Sequence, residues 1–313
     1  MAILAKPPVM VGLGEILWDM LPTGKSLGGA PANFAYHAHA LGAAASVVSA
    51  VGRDSLGKEI LEQLDIMGVD REFVAEDSRH PTGSVSVHVD GRGIPEYIIH
   101  ENAAWDFMAY APRMDSLAAS ADAVCFGTLG QRSPVSRTTI QRFLATTRPG
   151  CKRVLDINLR QHFYTQSIIA QSLELSNIVK LNEDELPVLA AMFSLHGPVQ
   201  DQLSQMLSKY PLELIALTRG SQGATLQTHQ ETVDCSGFST VVADTVGAGD
   251  AFTAAMAIGL LAGRPLMEVN RQACRVAAFV CSQPGATPTI PTNLAAAIHS
   301  SKGDGSGLGR REQ

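Results

Sequence analysis

The stretch Asp244-Thr245-Val246-Gly247-Ala248-Gly249-Asp250 places two carboxylates around a loop almost without side chains, and the run after it, AFTAAMAIGLLAG, is apolar and rich in helix formers. Gly247, Ala248 and Gly249 let the backbone turn tightly and let a ligand approach its N–H groups. A helix that starts there leaves its first N–H groups without intrahelical partners and aims the positive end of its dipole at the same spot. That combination suits a phosphate or a developing oxyanion. Asp250, in the first helical turn, is a proton acceptor beside the hole, so the arrangement points to phosphoryl transfer onto a hydroxyl. A capped helix would explain the loop on its own, and the rest of the chain has to decide.

Other stretches that resemble ligand motifs do not hold up. TGKS at 23–26 lacks the glycine that a phosphate-binding P-loop needs five residues earlier, where this chain has Asp19. GLGEIL at 12–17 lacks the third glycine of a dinucleotide fingerprint. His37 and His39 are two apart and fall on different faces of a helix, a structural pattern rather than a metal site.

The elements that must position Asp250 alternate. VMVGLGEI reads as a buried strand, ANFAYHAHALGA as a helix stopped by Gly42, and AASVVSAVG as a strand. DSLGKEILEQLDIMG reads as a helix capped by Asp54 and stopped by Gly68. DAVCFGTLG, KRVLDIN, NIVKLN and LELIALT read as further core strands, with helices at 134–147, 166–174, 183–193 and 199–209 between them. Two apolar helices at 248–263 and 266–282 follow. Alternation of this kind predicts βαβ units and a mostly parallel sheet. Residues 84–101 differ: Val85, Val87 and Val89 alternate with polar residues, Asp90-Gly91 turns, and EYIIH returns. This predicts an antiparallel hairpin outside the main sheet.

Composition narrows the function. The 313 residues are 45 % hydrophobic and 17 % charged, with a net charge of −6, which gives a large core and no basic surplus for nucleic acid or anionic membrane. The amino terminus has no signal-peptide pattern, and the longest apolar run falls short of the roughly 20 residues a membrane span needs. The five cysteines form no CxxC pair, so free thiols in a cytoplasmic protein are expected.

Taken together, the motifs resemble the ribokinase-like (PfkB-type) carbohydrate kinases, most closely the fructokinase branch. DTVGAGD at 244–250 and GGAPANFA at 28–35, about 215 residues apart, match the two family hallmarks, and VGRDSLG, DINLR, Asn182-x-x-Glu185 and Thr218-x-Gly220-x-x-Gly223 lie between them. The resemblance implies an α/β three-layer fold with a mostly parallel central sheet, helices on both faces and a small antiparallel β lid. It implies one kinase domain over 1–299, a lid from about 14–25 and 84–103, and an unstructured tail at 300–313.

It also implies roles. Asp250 is the base, and Gly247, Ala248 and Gly249 form the anion hole. As an ordinary carboxylate with a pKa near 4, Asp250 would be a weak base, contributing ~10²–10⁴-fold as the hydroxyl loses its proton. Asp19, Gly28, Gly29 and Asn33 contact the sugar; Asn33, on a helix of Ala, Phe and Tyr, needs a polar partner, and a ligand hydroxyl fits. Trp105, in NAAWDF, and Arg160, in DINLR, complete the substrate side, the guanidinium facing the phosphoryl group. Asn182, Thr218, Gly220, Gly223 and Gly285 hold ATP. Glu185 organises Mg²⁺ through water, and backbone around Asp244 and Val246 holds K⁺. Fructose is the expected sugar; other ketoses, ribose and 2-keto-3-deoxygluconate follow, and a neutral His100, where kinases for that acid carry arginine, favours a neutral sugar. A sugar-binding protein without catalysis and a nicotinamide-dependent oxidoreductase are the readings from other classes. A homodimer through the lid is expected, because the apolar face Val85, Val87, Val89, Ile98 and Ile99 needs a cover.

Overall fold

The computed structural model describes residues 6–21, 24–89 and 95–299. The tail 300–313 and the turn at Asp90-Gly91 lie outside them. The chain runs through β1 (Val9–Leu13), β2 (Leu17–Leu21), β3 (Gly24–Gly28), α1 (Ala30–Ala40), β4 (Ala44–Gly52) and α2 (Ser55–Ile66). Then come β5 (Val74–Asp77), β6 (Gly83–Val89), β7 (Pro95–Ile99), α3 (Arg113–Ser120), β8 (Ala123–Gly127) and α4 (Pro134–Thr146). The middle of the chain adds β9 (Lys152–Asp156), α5 (Gln166–Leu175), β10 (Ile178–Asn182), α6 (Glu185–Phe193), α7 (Val199–Lys209) and β11 (Leu214–Thr218). It ends with β12 (Ala224–Gln227), β13 (Thr232–Cys235), α8 (Ala248–Leu261), α9 (Leu266–Cys281) and α10 (Thr292–His299).

Among the described residues nine strands form one sheet, in the order β13-β12-β11-β10-β9-β8-β1-β4-β5. Every neighbouring pair from β11 to β5 is parallel. The hairpin β12–β13 adds an antiparallel edge that the sequence pattern did not predict, since its turn carries no Asn-Gly or Asp-Gly pair. Strand residues alternate between two cores. Met10, Cys125, Val154 and Ile178 face the layer of α1, α2, α8, α9 and α10. Val11, Phe126, Leu155 and Val179 face the layer of α3 to α7. By the same alternation, Asp156 and Lys180, next on β9 and β10, belong to the α8 side.

The expected flap is a second sheet of four strands, β3-β2-β6-β7. Its two hairpins are antiparallel, and the junction of β2 with β6 is parallel. Its apolar face is not bare as expected. Val85 and Ile99 are paired across the hairpin and buried with Leu17, Trp105, Leu129 and Phe163 of the same chain. The side chains of Val87 and Val89 lie outside the described residues. The large apolar groups this sheet exposes are Met20, Leu21, Tyr97 and Ile98. No described helix is long and apolar enough to cross a membrane, and the five cysteines are free thiols.

Candidate active site

The start of α8 is shaped by backbone. Gly247 caps the helix in the left-handed region, with φ 77°, and no side chain caps it. A Cβ at 247 would collide with the Ala286 carbonyl, so the loop admits glycine on two counts. Two strands of loop hold this geometry. The N–H groups of Ala243 and Asp244 donate to the Cys281 carbonyl at 2.8 and 3.2 Å. The Asp244 carboxylate accepts from Val246 N at 3.0 Å and from Gly285 N at 3.1 Å. His37 on α1 reaches the Ala286 carbonyl at 2.9 Å; burial pushes its pKa down to about 4, so it is the neutral ring that donates. His37 is thus the structural histidine expected.

Asp250 faces the start of a second helix. The α1 helix begins after Gly29, φ 106°, also without a side-chain cap. Asn33, in its first turn, donates from Nδ2 to Asp250 Oδ2 at 2.9 Å. Two helix amino termini therefore converge on one carboxylate. The partner foreseen for Asn33 was a ligand; its amide hydrogen goes to Asp250 instead, while its Oδ1 is buried without a partner. Burial raises the Asp250 pKa most and Asp156 raises it further, whereas the Asn33 hydrogen bond, Lys180 and Arg160 lower it; the outcome is about 7. This corrects the ordinary value near 4: a base of that strength is matched to neutral pH.

Three charged residues went unassigned in the motif reading. Lys180 is 7 % exposed, and its Nζ lies 3.1 Å from Asp156 Oδ1, its cross-strand partner on β9. The same Nζ is 3.1 Å from where a Cβ on Gly249 would stand, so glycine there admits the ammonium to the first turn of α8. Its neighbours Asp156, Glu185 and Asp250 raise its pKa against the effect of burial, so it stays charged. The sequence signal was a lysine inside the apolar run NIVKLN. Glu15, between β1 and β2, is 2 % exposed. Burial pushes its pKa up to about 7, with Arg160 and Asp250 as its charged neighbours.

The remaining residues fall into three places. Asp19 on β2 lies against Gly28, so close that a Cβ there would strike its carboxylate. Burial raises the Asp19 pKa and Arg160 lowers it. Arg160 is exposed, donates to the Leu159 carbonyl at 3.1 Å, and acts on Glu15, Asp19 and Asp250 together. It follows Asn158, which has φ 41°. Trp105 is placed otherwise than expected: its ring is 1 % exposed, with the Arg132 guanidinium 4.0 Å above it. Here it packs in the flap's inner core with Leu17, Val85, Ile99, Leu129 and Phe163.

Asn182 and Thr218 are register partners at the carboxyl ends of β10 and β11. Asn182 Oδ1 accepts from the N–H groups of Asp184 and Glu185 at 3.0 and 2.9 Å, a side-chain turn that leads into α6, whose N-cap is Asp184. Glu185 returns the contact, accepting from Asn182 N at 2.8 Å and Leu159 N at 2.9 Å. Gly220, φ 51°, and Gly223, φ 88°, turn the chain after β11. No cluster of described His, Cys, Asp and Glu side chains makes a metal cage. Both Glu185 oxygens already accept backbone hydrogens, so the donor set fits an ion held largely by water and by phosphates.

Comparisons with known proteins show the family and the fold. The model of the pfkB family carbohydrate kinases matches residues 22–293. The chain is a PfkB family carbohydrate kinase. The kinase is 27 % identical over 300 residues to a putative sugar kinase of Pyrococcus horikoshii, covering 90 % of this chain and 92 % of that one. It is 28 % identical over 310 residues to fructokinase-1 of Zea mays, covering 91 % and 95 %. The crystal structure of the Pyrococcus horikoshii protein superposes with a TM-score of 0.79 at 26 % identity, over 93 % of this chain and all 100 % of that one. The fructokinase of Xylella fastidiosa with bound ATP superposes with a TM-score of 0.81 at 21 % identity, over 93 % and 97 %, a likeness of fold. The kinase is thus an ATP-dependent sugar-phosphorylating enzyme on a ribokinase-like fold.

Proposed function

We propose that the kinase phosphorylates fructose, with Asp250 as base and the backbone of 247–250 as anion hole. The convergence of α1 and α8 on Asp250 is the observation that carries the mechanism. Asp250 takes the proton as the sugar oxygen attacks the γ-phosphorus of ATP. The bond from that phosphorus to the bridging oxygen breaks in line, and ADP leaves. Charge growing on the phosphoryl oxygens meets the N–H groups and dipole of α8, with Lys180 and Arg160 beside them. Mg²⁺, where bound, neutralises phosphate charge, with Glu185 and Asn182 as its water-mediated anchor. Asp19, Gly28, Gly29 and Asn33 hold the sugar, and Thr218, Gly220, Gly223 and Gly285 line the nucleotide.

The choice of fructose is supported by relatives named fructokinase and by His100, a polar residue bonded to Ser86 at 3.0 Å where an acid-specific site would offer arginine. The four-stranded sheet serves as lid to residues 1–299, and its exposed Met20, Leu21, Tyr97 and Ile98 form the face of a homodimer, which light scattering at micromolar concentration would test. An ADP-release screen with Mg-ATP over fructose, other ketoses, ribose and 2-keto-3-deoxygluconate tests the substrate. Fructose should give the highest kcat/KM; a tenfold preference for another sugar would refute it.

A further inference from the structure

We infer that Glu15 is a specificity-determining residue of the sugar site: its free carboxylate oxygen takes a hydroxyl hydrogen from a neutral sugar and turns sugar acids away. The inference rests on the sugar lying between Asp19, Gly28 and Asn33, as proposed above. It starts from position in the chain. Glu15 lies between β1 and β2, one residue beyond Gly14, so it stands where the parallel sheet gives way to the flap. Nothing apolar recommends a glutamate there, yet the residue is 2 % exposed.

Its surroundings are built around one oxygen. The N–H of Ala30, at the start of α1, and its own N–H act on the carboxylate and favour its charged form. Oε2 has no hydrogen-bond partner. It lies 3.1 Å from where a Cβ on Gly130 would stand, so a bare glycine keeps the space beside it. A buried acceptor left unpaired is costly, and native proteins rarely keep one that nothing ever fills. Asn33 Oδ1, on the residue that holds Asp250, is a second buried acceptor without a partner.

The site around Asp250 is therefore rich in acceptors and short of donors. Glu15 and Asn33 each present a free oxygen, and Asp19 adds a carboxylate over Gly28. The charges acting on one another here are the carboxylates of Glu15, Asp19 and Asp250 and the guanidinium of Arg160. A neutral sugar brings O–H donors and no charge, and fills such a site. A sugar acid brings a further carboxylate into a region that already holds three carboxyl groups, and above about pH 7, where Glu15 and Asp250 are ionised, like charges brought together in a desolvated site select against it.

The test compares wild type, Glu15→Gln and Glu15→Asp in full-length protein, with fructose, ribose and 2-keto-3-deoxygluconate as probes. Wild type should prefer its best neutral sugar over the acid by about 100-fold or more in kcat/KM. Glu15→Gln keeps an acceptor oxygen but removes its charge, which should raise the KM of that sugar ~5–10-fold. The KM for ATP and kcat should stay within about threefold, a split that loss of α1 support would not produce. The preference over the acid should narrow. If Glu15→Gln does not fold, Glu15→Asp, which withdraws the oxygen by one methylene, gives the same readout. An unchanged sugar KM, or equal losses for sugar and ATP, would overturn the inference. A wild-type preference for ribose would refute the fructose assignment and leave Glu15 standing, whereas a preference for the acid would overturn Glu15 and leave the kinase intact.

Discussion

Replacing Asp250 by Asn should stabilise the protein while abolishing its chemistry. The substitution keeps size and shape, and an amide can still pair with Asn33, 2.9 Å away. What it removes is a carboxylate held in a place that resists charge. The folded pKa of about 7 stands well above the ordinary aspartate value of 3.8. Each pKa unit corresponds to about 1.4 kcal/mol, so holding Asp250 ionised in the folded state costs up to about 4 kcal/mol. Because the folded value is the higher one, protonation favours the native state. The cost is absent below about pH 4, grows as the pH rises from there to 7, and is complete above 7. Asp250→Asn should therefore unfold at higher denaturant than wild type at pH 8, by about 2–4 kcal/mol, and the gap should shrink to less than half at pH 5. In the same samples kcat, followed by ADP release, should fall ~10²–10⁴-fold or more with sugar and ATP affinities within a few-fold. A stability gap that is absent at pH 8, or independent of pH, would refute the account of Asp250 as a strained base. A near wild-type kcat would refute its role altogether.

Other consequences can be measured directly. The acid limb of kcat/KM should have its midpoint near pH 7, where Asp250 gains its proton, and not near 4; Lys180→Met should move that midpoint upward, since Lys180 lowers the Asp250 pKa. Lys180→Met should also lower stability by about 3–5 kcal/mol, because it leaves Asp156 buried without its partner, and Asp156→Asn in the same chain should restore part of the loss on chemical denaturation. Asp19→Ala should raise the sugar KM with a smaller change in kcat, since the contact is made in ground and transition states alike. Rates in K⁺ should exceed those in Na⁺ or a bulky organic cation, because the loops joined through Asp244 and Gly285 carry the anion hole; equal rates would refute the cation site.

Much of this protein is legible in its sequence because the relevant signals are local. The α8 amino terminus could be read from Gly247 to Asp250, since a glycine cap, small residues and a first-turn aspartate act within one helical turn. The parallel strands could be read from short apolar runs between amphipathic helices, and α2 from its Asp54 cap, which accepts from Gly57 N at 2.7 Å. What only the tertiary structure decided depends on residues far apart in the chain. Asn33 and Asp250 are 217 positions apart, and their hydrogen bond exists because α1 and α8 pack side by side. Lys180 reads as an oddity in a strand until β9 sets Asp156 beside it and α8 brings Gly249 over it. Trp105 reads only as a substrate-side residue, and the fold alone shows it packed under the flap, where it covers Val85 and Ile99, which read as an open apolar face. The strength of Asp250 as a base has the same origin. Its own residue type sets 3.8, and the move to about 7 comes from desolvation and from Asp156, neither of which exists before the chain is folded.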